Sequence, residues 1–383
     1  MNALAEDRPV PVRAGEEIDA AALGDWLRRN LPAGWQEGAP GSSGPPGPPA
    51  APDIAQFPGG HSNLTYLLRW GERELVLRRP PAGTKVAGAH DMAREHRVLS
   101  RLHLCWPKAP RALAACSDPA VIGAPFYVME RVRGVVLRRP TLPPGVEATP
   151  AAARRLAEQV VDALVELHAL DRGALEAAGL SDLGHPQGYV ARQVEGWSAR
   201  WRAAATDEVP EIDRAAAWLA AHLPRADAAA DAAPALLHND YKYDNLVFAG
   251  DLSHIVAVLD WEMATLGAPL MDLGTTLAYW IDEDDDPALR RLPSGPTTLP
   301  GGLGRAAVVE RYAAASGRDV SEILFYYVFG LLKVAVIAQQ IYFRFRQGWT
   351  SDPRFAALLD GVRLLGRTSA QAIARGRIDR LGG

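Results

Sequence analysis

The spacing of apolar residues changes once along this chain, near Gly134. Before that residue the apolar segments are short and bounded by turn residues, as in 64–70, 75–78 and 124–129, which is typical of strands in a small sheet. One helical stretch, 89–102, lies among them. Beyond Gly134, apolar residues recur at helical spacing, for example at Leu156, Val160, Leu164 and Leu167. The sequence therefore predicts an α+β protein with a small sheet-rich part followed by a larger, mainly helical part.

The residues ahead of the first strand are of two kinds. Apolar residues at helical spacing predict a helix over 17–31, whereas 38–52 is rich in Pro, Gly and Ser and predicts a mobile linker. The predicted regions are an N-terminal helix with a Pro/Gly-rich linker, a sheet-rich region and a helical region, at 1–52, 53–131 and 132–383.

Composition narrows the class of protein. The chain has 383 residues, of which 48% are hydrophobic, so it can bury a substantial core and a disordered chain is excluded. Its net charge of −4 predicts no broad basic surface for nucleic acid or an anionic membrane. Cys105 and Cys116 lack the spacing of a disulfide framework or a zinc site, so we expect a reducing, cytoplasmic location. The first ten residues carry charges and lack the apolar core of a signal peptide.

An apolar run at 323–343 has the length of a membrane span. Lys333 lies near its middle, and Gln339 and Gln340 follow, and such groups are costly in lipid. We therefore predict a helix buried inside the protein.

A short strand-like insert interrupts the helical region and carries its most informative polar residues. HNDYKYDNLVF (238–248) is followed by a Gly-Asp turn and then by IVAVLDW (255–261). Two apolar strands around such a turn predict a hairpin, whose open ends lie side by side. We therefore expect Asn245, at the start of one strand, to meet Asp260, at the end of the other, with Asp240 on the preceding loop.

These side chains suit phosphoryl transfer. An amide and a carboxylate are hard ligands of the kind that Mg²⁺ takes, so Asn245 and Asp260 are candidate metal ligands. Asp240 is available to accept a hydroxyl proton, and Lys242 to supply a cation for the transferred phosphate. A solvated turn whose Asp and Asn side chains only cap helices is the alternative. The compound spacing of these residues favours a site.

The same segments resemble a known family. HNDYKYDNLVF followed by VLDWEMATLGAPLMDLG resembles the aminoglycoside phosphotransferase and choline kinase-like family, relatives of protein kinases. QFPGGHSNLTYLL followed by ELVLRRPPAG is most similar to the branch with kinase-like domains attached to acyl-CoA dehydrogenases. The resemblance covers about residues 53–370 and implies a two-lobed protein-kinase-like fold with ATP and Mg²⁺. It further implies that Asp240 is the catalytic base, that Asn245 and Asp260 bind Mg²⁺, and that Lys242 approaches the γ-phosphate.

The sheet-rich region should then hold the nucleotide. A glycine-rich segment, 59–63, precedes the strand 64–70, where a phosphate-covering loop would lie. Glycines let backbone amides approach phosphates, so Gly60, Ser62 and Asn63 are predicted phosphate contacts. A plain hairpin turn has the same pattern.

Side chains alternate along the next strand, so Val76 and Arg78 share one face. Val76 is predicted to cover the adenine and Arg78 to point at the phosphates, where the familiar kinase pattern has lysine. Arg79 competes with Arg78 for this role. Glu95 lies on the apolar face of the predicted helix, where an unpaired carboxylate is costly, so we predict an ion pair with Arg78. A partly exposed Glu95 is the alternative.

Two further features rest mainly on the resemblance. The run 126–132 resembles the hinge that joins the lobes, which implies that the backbone at Glu130 and Val132 pairs with the adenine edge. An ordinary strand end predicts the same pattern. Asp272 matches a family aspartate that is structural, and we interpret His238 as a buried scaffold residue.

The acceptor of the phosphate is left open. Eleven residues separate Asp260 from Asp272, too few for an activation segment, so a small-molecule hydroxyl is favoured over a protein. An acidic run at 282–286 would attract an aminoglycoside, although such runs are more often solvated loops. A less cationic or acyl-bearing hydroxy compound suits the nearby apolar and aromatic residues and Lys333 equally well, and the resemblance to the acyl-CoA dehydrogenase branch implies hydroxyacyl-CoA substrates. The candidate acceptor contacts besides that run are Tyr279, Trp280, Tyr326, Lys333 and Gln340.

We therefore predict a phosphotransferase that uses ATP and Mg²⁺ to phosphorylate an alcohol group. Its partner would be a small-molecule hydroxyl acceptor, with no nucleic acid and no membrane, and its oligomeric state is not predicted. The alternative is a nucleotide-binding, pseudokinase-type module that regulates or serves as a scaffold. The presence of all three motif side chains, the base, the amide and the metal carboxylate, disfavours it.

Overall fold

The computed structural model describes residues 8–36, 51–58, 63–81, 92–224, 234–292, 294–350 and 352–382. These residues pack as two units. The sheet unit comprises Met1–Val136, Gly173–Leu180 and Val247–Glu262. The helical unit comprises Leu137–Arg172, Ser181–Leu246 and Met263–Gly383.

A five-stranded antiparallel sheet forms the centre of the sheet unit, with strand order β1-β2-β3-β5-β4. Its second strand has the bounds that the sequence predicts, because a run of apolar residues there ends at turn residues on both sides. The strands are β1 (Asp53–Gln56), β2 (Leu64–Trp70), β3 (Arg73–Arg79), β4 (Ala112–Cys116) and β5 (Phe126–Glu130).

Helices cover the two faces of this sheet. Helix α1 (Ala20–Asn30) begins after Asp19, whose carboxylate accepts hydrogen bonds from two backbone N–H groups of the first turn. Its apolar residues join Leu75 and Leu77 of β3 in one buried cluster. Helix α3 (Met92–Leu102) contacts β4 and β5, and a short α2 (Ala33–Gln36) follows α1.

The predicted hairpin is present, and its residues from Val247 onward belong to the sheet unit. Strands β8 (Leu246–Phe248) and β9 (Ile255–Val258) are neighbours in a three-stranded sheet, with β6 (Val135–Val136) on the other side of β8. The residue before β6 is Gly134. A Cβ at this position would clash with the Phe248 carbonyl oxygen, so glycine allows the close approach of the two strands. The short helix α5 (Arg172–Ala177) also lies mostly in this unit.

The helical unit contains seven of the described helices and one two-stranded ladder. The antiparallel ladder joins β7 (Ala235–Leu237) to β10 (Thr265–Gly267). The helices are α4 (Pro150–His168), α6 (Tyr189–Ala204), α7 (Pro210–Ala221), α8 (Pro269–Tyr279), α9 (Arg305–Ser316), α10 (Ile323–Arg346) and α11 (Leu358–Arg375). Three 3₁₀ turns, at Tyr243–Asn245, Pro287–Arg291 and Pro353–Ala357, complete it.

Helix α10 is the one helix in the described ranges that is long and apolar enough to cross a membrane. It contacts α6, α7, α8 and α11, and 67% of its apolar window is buried inside the protein. A core helix passes the same test of length and composition, and the predicted burial of this helix is confirmed.

Three predicted features stay predictions. The boundaries after residues 52 and 131 are not those of the two packed units, which are interleaved along the chain. Most of the Pro/Gly-rich stretch 38–52, and Gly60 and Ser62 of the predicted phosphate loop, lie outside the described residues.

Candidate active site

Strand β3 presents Arg78 to two carboxylates within the sheet unit. The guanidinium lies 2.5 Å from Glu95 Oε1, on α3, and 3.1 Å from Asp260 Oδ1. Arg78 is 7% exposed and Glu95 is fully buried. The predicted ion pair is therefore confirmed, and the alternative of a partly exposed Glu95 is wrong.

The Glu95 carboxylate also anchors the segment after β9. Its Oε1 accepts a hydrogen bond from the Trp261 backbone N–H at 3.2 Å, while its Oε2 has no hydrogen-bond partner in the described part of the chain. Burial raises the pKa of Glu95 to about 7, although Arg78 stabilises the charged carboxylate and so acts to lower this pKa. Glu95 therefore connects β3, α3 and the segment that carries Asp260.

Alternation along β3 decides between the two arginines. Arg79 shares the face of Leu75 and Leu77, and its guanidinium donates to the Tyr66 hydroxyl and to the backbone oxygens of Glu16 and Ile122. Arg79 thus holds the N-terminal segment to the sheet. Arg78 is the arginine that faces acidic side chains.

The backbone is strained where the metal carboxylate is predicted. Asp260 follows β9 by two residues and has φ +69, in the left-handed region that non-glycine residues rarely adopt. Nearby, Glu262 accepts a hydrogen bond from Asn63 Nδ2 at 3.0 Å, and its carbonyl accepts one from Arg94 at 2.7 Å. Asn63 is 2% exposed, and its amide nitrogen is directed at Glu262. Its contact with phosphate stays a prediction.

The predicted adenine contacts also belong to the sheet unit. Val76 is 7% exposed, pairs with Met129 across the sheet and lies on the face of Arg78. Glu130 ends β5, and its backbone N–H donates to the Arg111 carbonyl oxygen at 3.0 Å. Val132 follows two residues later and is half-buried. Their roles toward a nucleotide stay predictions.

In the helical unit, Asp240 lies at the centre of a hydrogen-bonded cluster. Its carboxylate accepts from Lys242 Nζ at 2.9 Å, from the Tyr279 hydroxyl at 3.0 Å and from Asn245 Nδ2 at 3.1 Å. The side chain keeps 19% of its surface exposed. Three donors therefore orient this carboxylate without covering it.

Lys242 and Asn245 are held by the same cluster. Burial acts to lower the pKa of Lys242, but the Asp240 charge raises it above its ordinary value, so the ammonium is retained. It also lies 4.6 Å from the centre of the Tyr279 ring. Asn245 ends a 3₁₀ turn and donates its amide nitrogen to the Asp240 carbonyl oxygen at 2.8 Å, which leaves its amide oxygen as the group suited to a metal.

The loop that carries Asp240 is fastened to α8. Asp272, fully buried, accepts from the backbone N–H groups of His238 at 2.6 Å and of Asn239 at 2.8 Å. His168 lies 3.3 Å from the same carboxylate, and His238 is fully buried. The predicted scaffold positions of Asp272 and His238 are confirmed by these contacts.

The two predicted metal ligands belong to different units, Asn245 to the helical unit and Asp260 to the sheet unit. Their convergence on one ion therefore stays a prediction. Among the described residues no group of three or more His, Cys, Asp or Glu side chains could hold a metal ion. An amide oxygen and a carboxylate nevertheless fit Mg²⁺, which needs few protein ligands.

The acidic run corrects both expectations made for it. Asp282 and Asp285 are buried and contact the Arg305 guanidinium at 3.4 Å and 2.5 Å, whereas Glu283 and Asp284 are exposed. Burial raises the pKa of Asp282 to about 6, although Arg305 opposes this. The run is therefore neither a fully solvated loop nor a free wall of negative charge, because Asp282 and Asp285 share one buried arginine.

The predicted acceptor contacts are mostly inside the protein. Tyr326 and Trp280 are 2% and 3% exposed, Lys333 is 1% exposed, and Gln340 is half-buried. A narrow crevice in the helical unit lies beside Lys242 and Tyr279, the partners of Asp240. Its other lining residues are Val160, Tyr243, Thr276, Trp280, Ser294 and Thr297.

Several contacts around Asp240 were not predicted from the sequence. Tyr279 contacts the carboxylate itself, while Tyr189 and Lys333 contact the preceding Asn239. A buried lysine in an apolar helix is a sequence signal that a polar partner exists, but it does not say which.

Comparisons with known proteins identify the family of the chain. A profile described as the phosphotransferase enzyme family matches residues 53–314, more than half of the chain. Mouse acyl-CoA dehydrogenase family member 10 is 35% identical over 305 residues, which are 78% of this chain and 27% of that protein. Rat acyl-CoA dehydrogenase family member 11 is 32% identical over 368 residues, which are 96% of this chain and 44% of that protein. The chain thus spans less than half the length of these relatives.

Solved structures show the same fold. A candidate aminoglycoside phosphotransferase from Ralstonia eutropha is 29% identical with a TM-score of 0.71, covering 91% of this chain and 96% of that one. Macrolide 2'-phosphotransferase type I has 18% identity, a TM-score of 0.53, and coverage of 81% and 90%. The GDP complex of aminoglycoside 2'-phosphotransferase-IIIa has 16% identity, a TM-score of 0.51, and coverage of 81% and 92%. The chain therefore has the predicted two-lobed, protein-kinase-like α+β fold and belongs to the phosphotransferase enzyme family.

Proposed function

We propose that this protein transfers the γ-phosphoryl group of ATP to a hydroxyl group of a small molecule, in a Mg²⁺-dependent reaction with Asp240 as the base. The observation that carries the proposal is the Asp240 carboxylate, which is oriented by three donors and yet accessible. A structural carboxylate such as Asp272 is instead fully buried and bonded to backbone. An oriented, exposed carboxylate is what a hydroxyl proton acceptor requires.

Each motif side chain has one task in this proposal. Asp240 accepts the hydroxyl proton as the oxygen attacks the γ-phosphorus, while the bond from that phosphorus to the bridging oxygen breaks and ADP leaves. Lys242, whose ammonium lies 2.9 Å from Asp240, faces the transferred phosphoryl group. Arg78, held by Glu95, binds phosphate oxygens of the nucleotide. Asn245 and Asp260 hold Mg²⁺, which when bound neutralises phosphate charge.

Nucleotide binding is supported by the family and by the cluster around Arg78. One solved relative of the same fold is a GDP complex and another, at a TM-score of 0.51, is a complex with AMP-PNP and hygromycin B. We propose ATP for this chain, and parallel titrations with ATP and GTP test that choice.

The acceptor is proposed to be a small hydroxy compound other than a polycation. Two of the five carboxylates of the acidic run face the buried Arg305, which weakens the electrostatic case for an aminoglycoside. Because the curated relatives are named as acyl-CoA dehydrogenases, hydroxyacyl-CoAs belong in the acceptor screen.

The test begins with a thermal-shift screen of hydroxyacyl-CoAs, other hydroxylated metabolites and aminoglycosides in the presence of AMP-PNP and Mg²⁺. A true acceptor stabilises the folded state by mass action. Turnover is then measured for Asp240→Asn, with Asp251→Asn in the exposed hairpin turn as the matched control. We expect D240N to lower kcat by about 10³-fold with nucleotide affinity within twofold, since general-base catalysis contributes about 10²–10⁴-fold.

Comparable kcat values for D240N and the wild type would reject Asp240 as the base. Nucleotide binding without phosphoryl transfer to any hydroxyl compound or to water, in a folded wild-type protein, would favour the scaffold alternative.

A further inference from the structure

Lys333 is a buried cation to which the proposed chemistry assigns no task. It lies within the apolar helix α10 and is 1% exposed. Its Nζ donates to the Asn239 carbonyl oxygen at 2.5 Å and lies 3.4 Å from Asn239 Oδ1. Within the described ranges it has no carboxylate oxygen within 4.0 Å. A charge buried without a counter-charge is costly, so the contact with Asn239 calls for a reason.

Asn239, the residue before Asp240, is held at every polar group. Its N–H donates to Asp272, its Nδ2 donates to the Met263 carbonyl oxygen at 3.1 Å, and its Oδ1 accepts from Tyr189 at 3.2 Å. Its φ of +66 is in the left-handed region. Lys333 holds the carbonyl, which belongs to the peptide that joins Asn239 to Asp240. The direction of that peptide sets the direction from which the Asp240 side chain leaves the backbone.

The helix that carries Lys333 is locked to the helix that carries Asp272. A Cβ at Gly330 of α10 would clash with the Gly274 carbonyl oxygen of α8, so the two helices touch along their backbones. Asp272 and Thr276 of α8 hold the loop on either side of Asp240, at two backbone N–H groups and at the Tyr241 carbonyl. Lys333, one turn beyond Gly330, holds the same loop from α10.

We propose that Lys333 is a positioning residue that orients the Asp240 carboxylate through the Asn239 carbonyl. This inference rests on the proposed role of Asp240. Lys333 touches neither the acceptor nor the nucleotide, and its effect is on the productive geometry of the base. Its loss should therefore lower kcat and leave the nucleotide KM unchanged, since a small misplacement of a catalytic group can cost up to about 10²-fold.

The experiment compares two substitutions on the same helix. Lys333→Met and Gln339→Met each remove a buried side chain of α10 that donates to a backbone carbonyl, but Gln339 donates to Ala204, far along the chain from the loop. We expect K333M to lower kcat about 10- to 100-fold with the nucleotide KM within twofold, and Q339M to retain kcat within twofold. Lys333→Gln, which keeps a neutral donor, should recover part of the loss and serves if K333M does not fold.

Hydrogen exchange of peptides covering 238–245 supplies a readout that does not need turnover. We expect faster exchange there in K333M or K333Q than in Q339M, at equal global stability. Unchanged kcat, or unchanged exchange in this segment, would overturn the proposed role of Lys333. A wild-type protein without turnover, whose loop nonetheless loosens in K333M, would count against the proposed function and leave the positioning contact supported.

Discussion

The sheet unit and the helical unit each bury a cation beside predicted site residues, and the two cations have different kinds of partner. Arg78 of the sheet unit contacts two carboxylates, Glu95 and Asp260. Lys333 of the helical unit contacts the neutral oxygens of Asn239. Removing one partner of a buried ion pair leaves an uncompensated charge, whereas removing a lysine from a carbonyl leaves only an unsatisfied oxygen. The comparison indicates that Arg78 balances the negative charge of the two carboxylates it contacts, while Lys333 determines the geometry of the loop that carries Asp240.

Replacing Arg78 should have the largest effect on stability. We expect Arg78→Met to lower the free energy of unfolding by about 3–5 kcal/mol, because the fully buried Glu95 then lacks its cation. Lys333→Met should change it much less, because the cost of one unsatisfied buried oxygen, about 1–3 kcal/mol, is offset by the removal of a costly buried charge. Urea denaturation at pH 7 measures both. The exposed Arg202, replaced by Met, is a control that should stay within about 0.5 kcal/mol. Equal losses for R78M and K333M would remove the distinction.

The contributions of Glu95 and Lys333 to the pH dependence of stability should have opposite signs, and that of Lys333 should reach about 3 kcal/mol. Burial raises the pKa of Glu95 from 4.5 to about 7, so its contribution is full below pH 4.5 and is lost as the pH rises through 7. Burial lowers the pKa of Lys333 from 10.5 to about 8, so its contribution is present above pH 10.5 and is lost as the pH falls through 8. Stability should therefore fall from pH 4.5 to 7 and rise from pH 8 to 10.5.

The charges that face Lys333 act in both directions. Asp272 and Asp240 favour its ammonium form, while Lys242 and Arg200 disfavour it, and burial outweighs them. Thermal unfolding followed against pH, for the wild type, Glu95→Gln and K333M, isolates each slope. E95Q should remove the part of the acidic slope near pH 7 and leave the part due to Asp282, whose pKa is raised to about 6, while K333M should lose the alkaline slope alone. A slope that survives its own substitution would show that another group causes it.

The smallest expected effect concerns the hydroxyl that Tyr279 donates to Asp240. Tyr279→Phe removes one of the donors to the carboxylate and retains the ring beside Lys242. We expect kcat to fall about 2- to 10-fold, since a single hydrogen bond contributes about 0.5–1.5 kcal/mol. Tyr342→Phe, whose hydroxyl accepts from Arg346 on α10, is the matched control. If both variants turn over like the wild type, Asp240 does not depend on Tyr279.

The features that were predicted correctly depend on neighbouring residues in the sequence. Strand β2 was predicted at its observed bounds, because its apolar run is bounded by turn residues. The pairing of Arg78 with Glu95 followed from two periodicities, alternation along a strand and the apolar stripe of a helix, each of which depends only on neighbouring residues.

The predictions that were wrong or incomplete concern contacts between residues that are distant in the sequence. The acidic run at 282–286 gave no sign that Arg305, about twenty residues later, would be buried against it. The hairpin was expected among helices, yet β8 pairs with β6, more than a hundred residues earlier, and packs in the sheet unit. Neither pairing has a periodic signature, since it depends on how complete elements pack.

The α+β division of the chain, the hairpin and the face of β3 that carries Arg78 follow from the sequence alone. Side-chain direction in a regular element follows from its repeat, so short segments of sequence are enough to predict these features. The oxygen that Lys333 contacts depends on the packed fold, because the lysine and Asn239 are 94 residues apart and meet where two helices touch through glycines. A buried polar group must find a partner, and only the packed chain determines which one it finds.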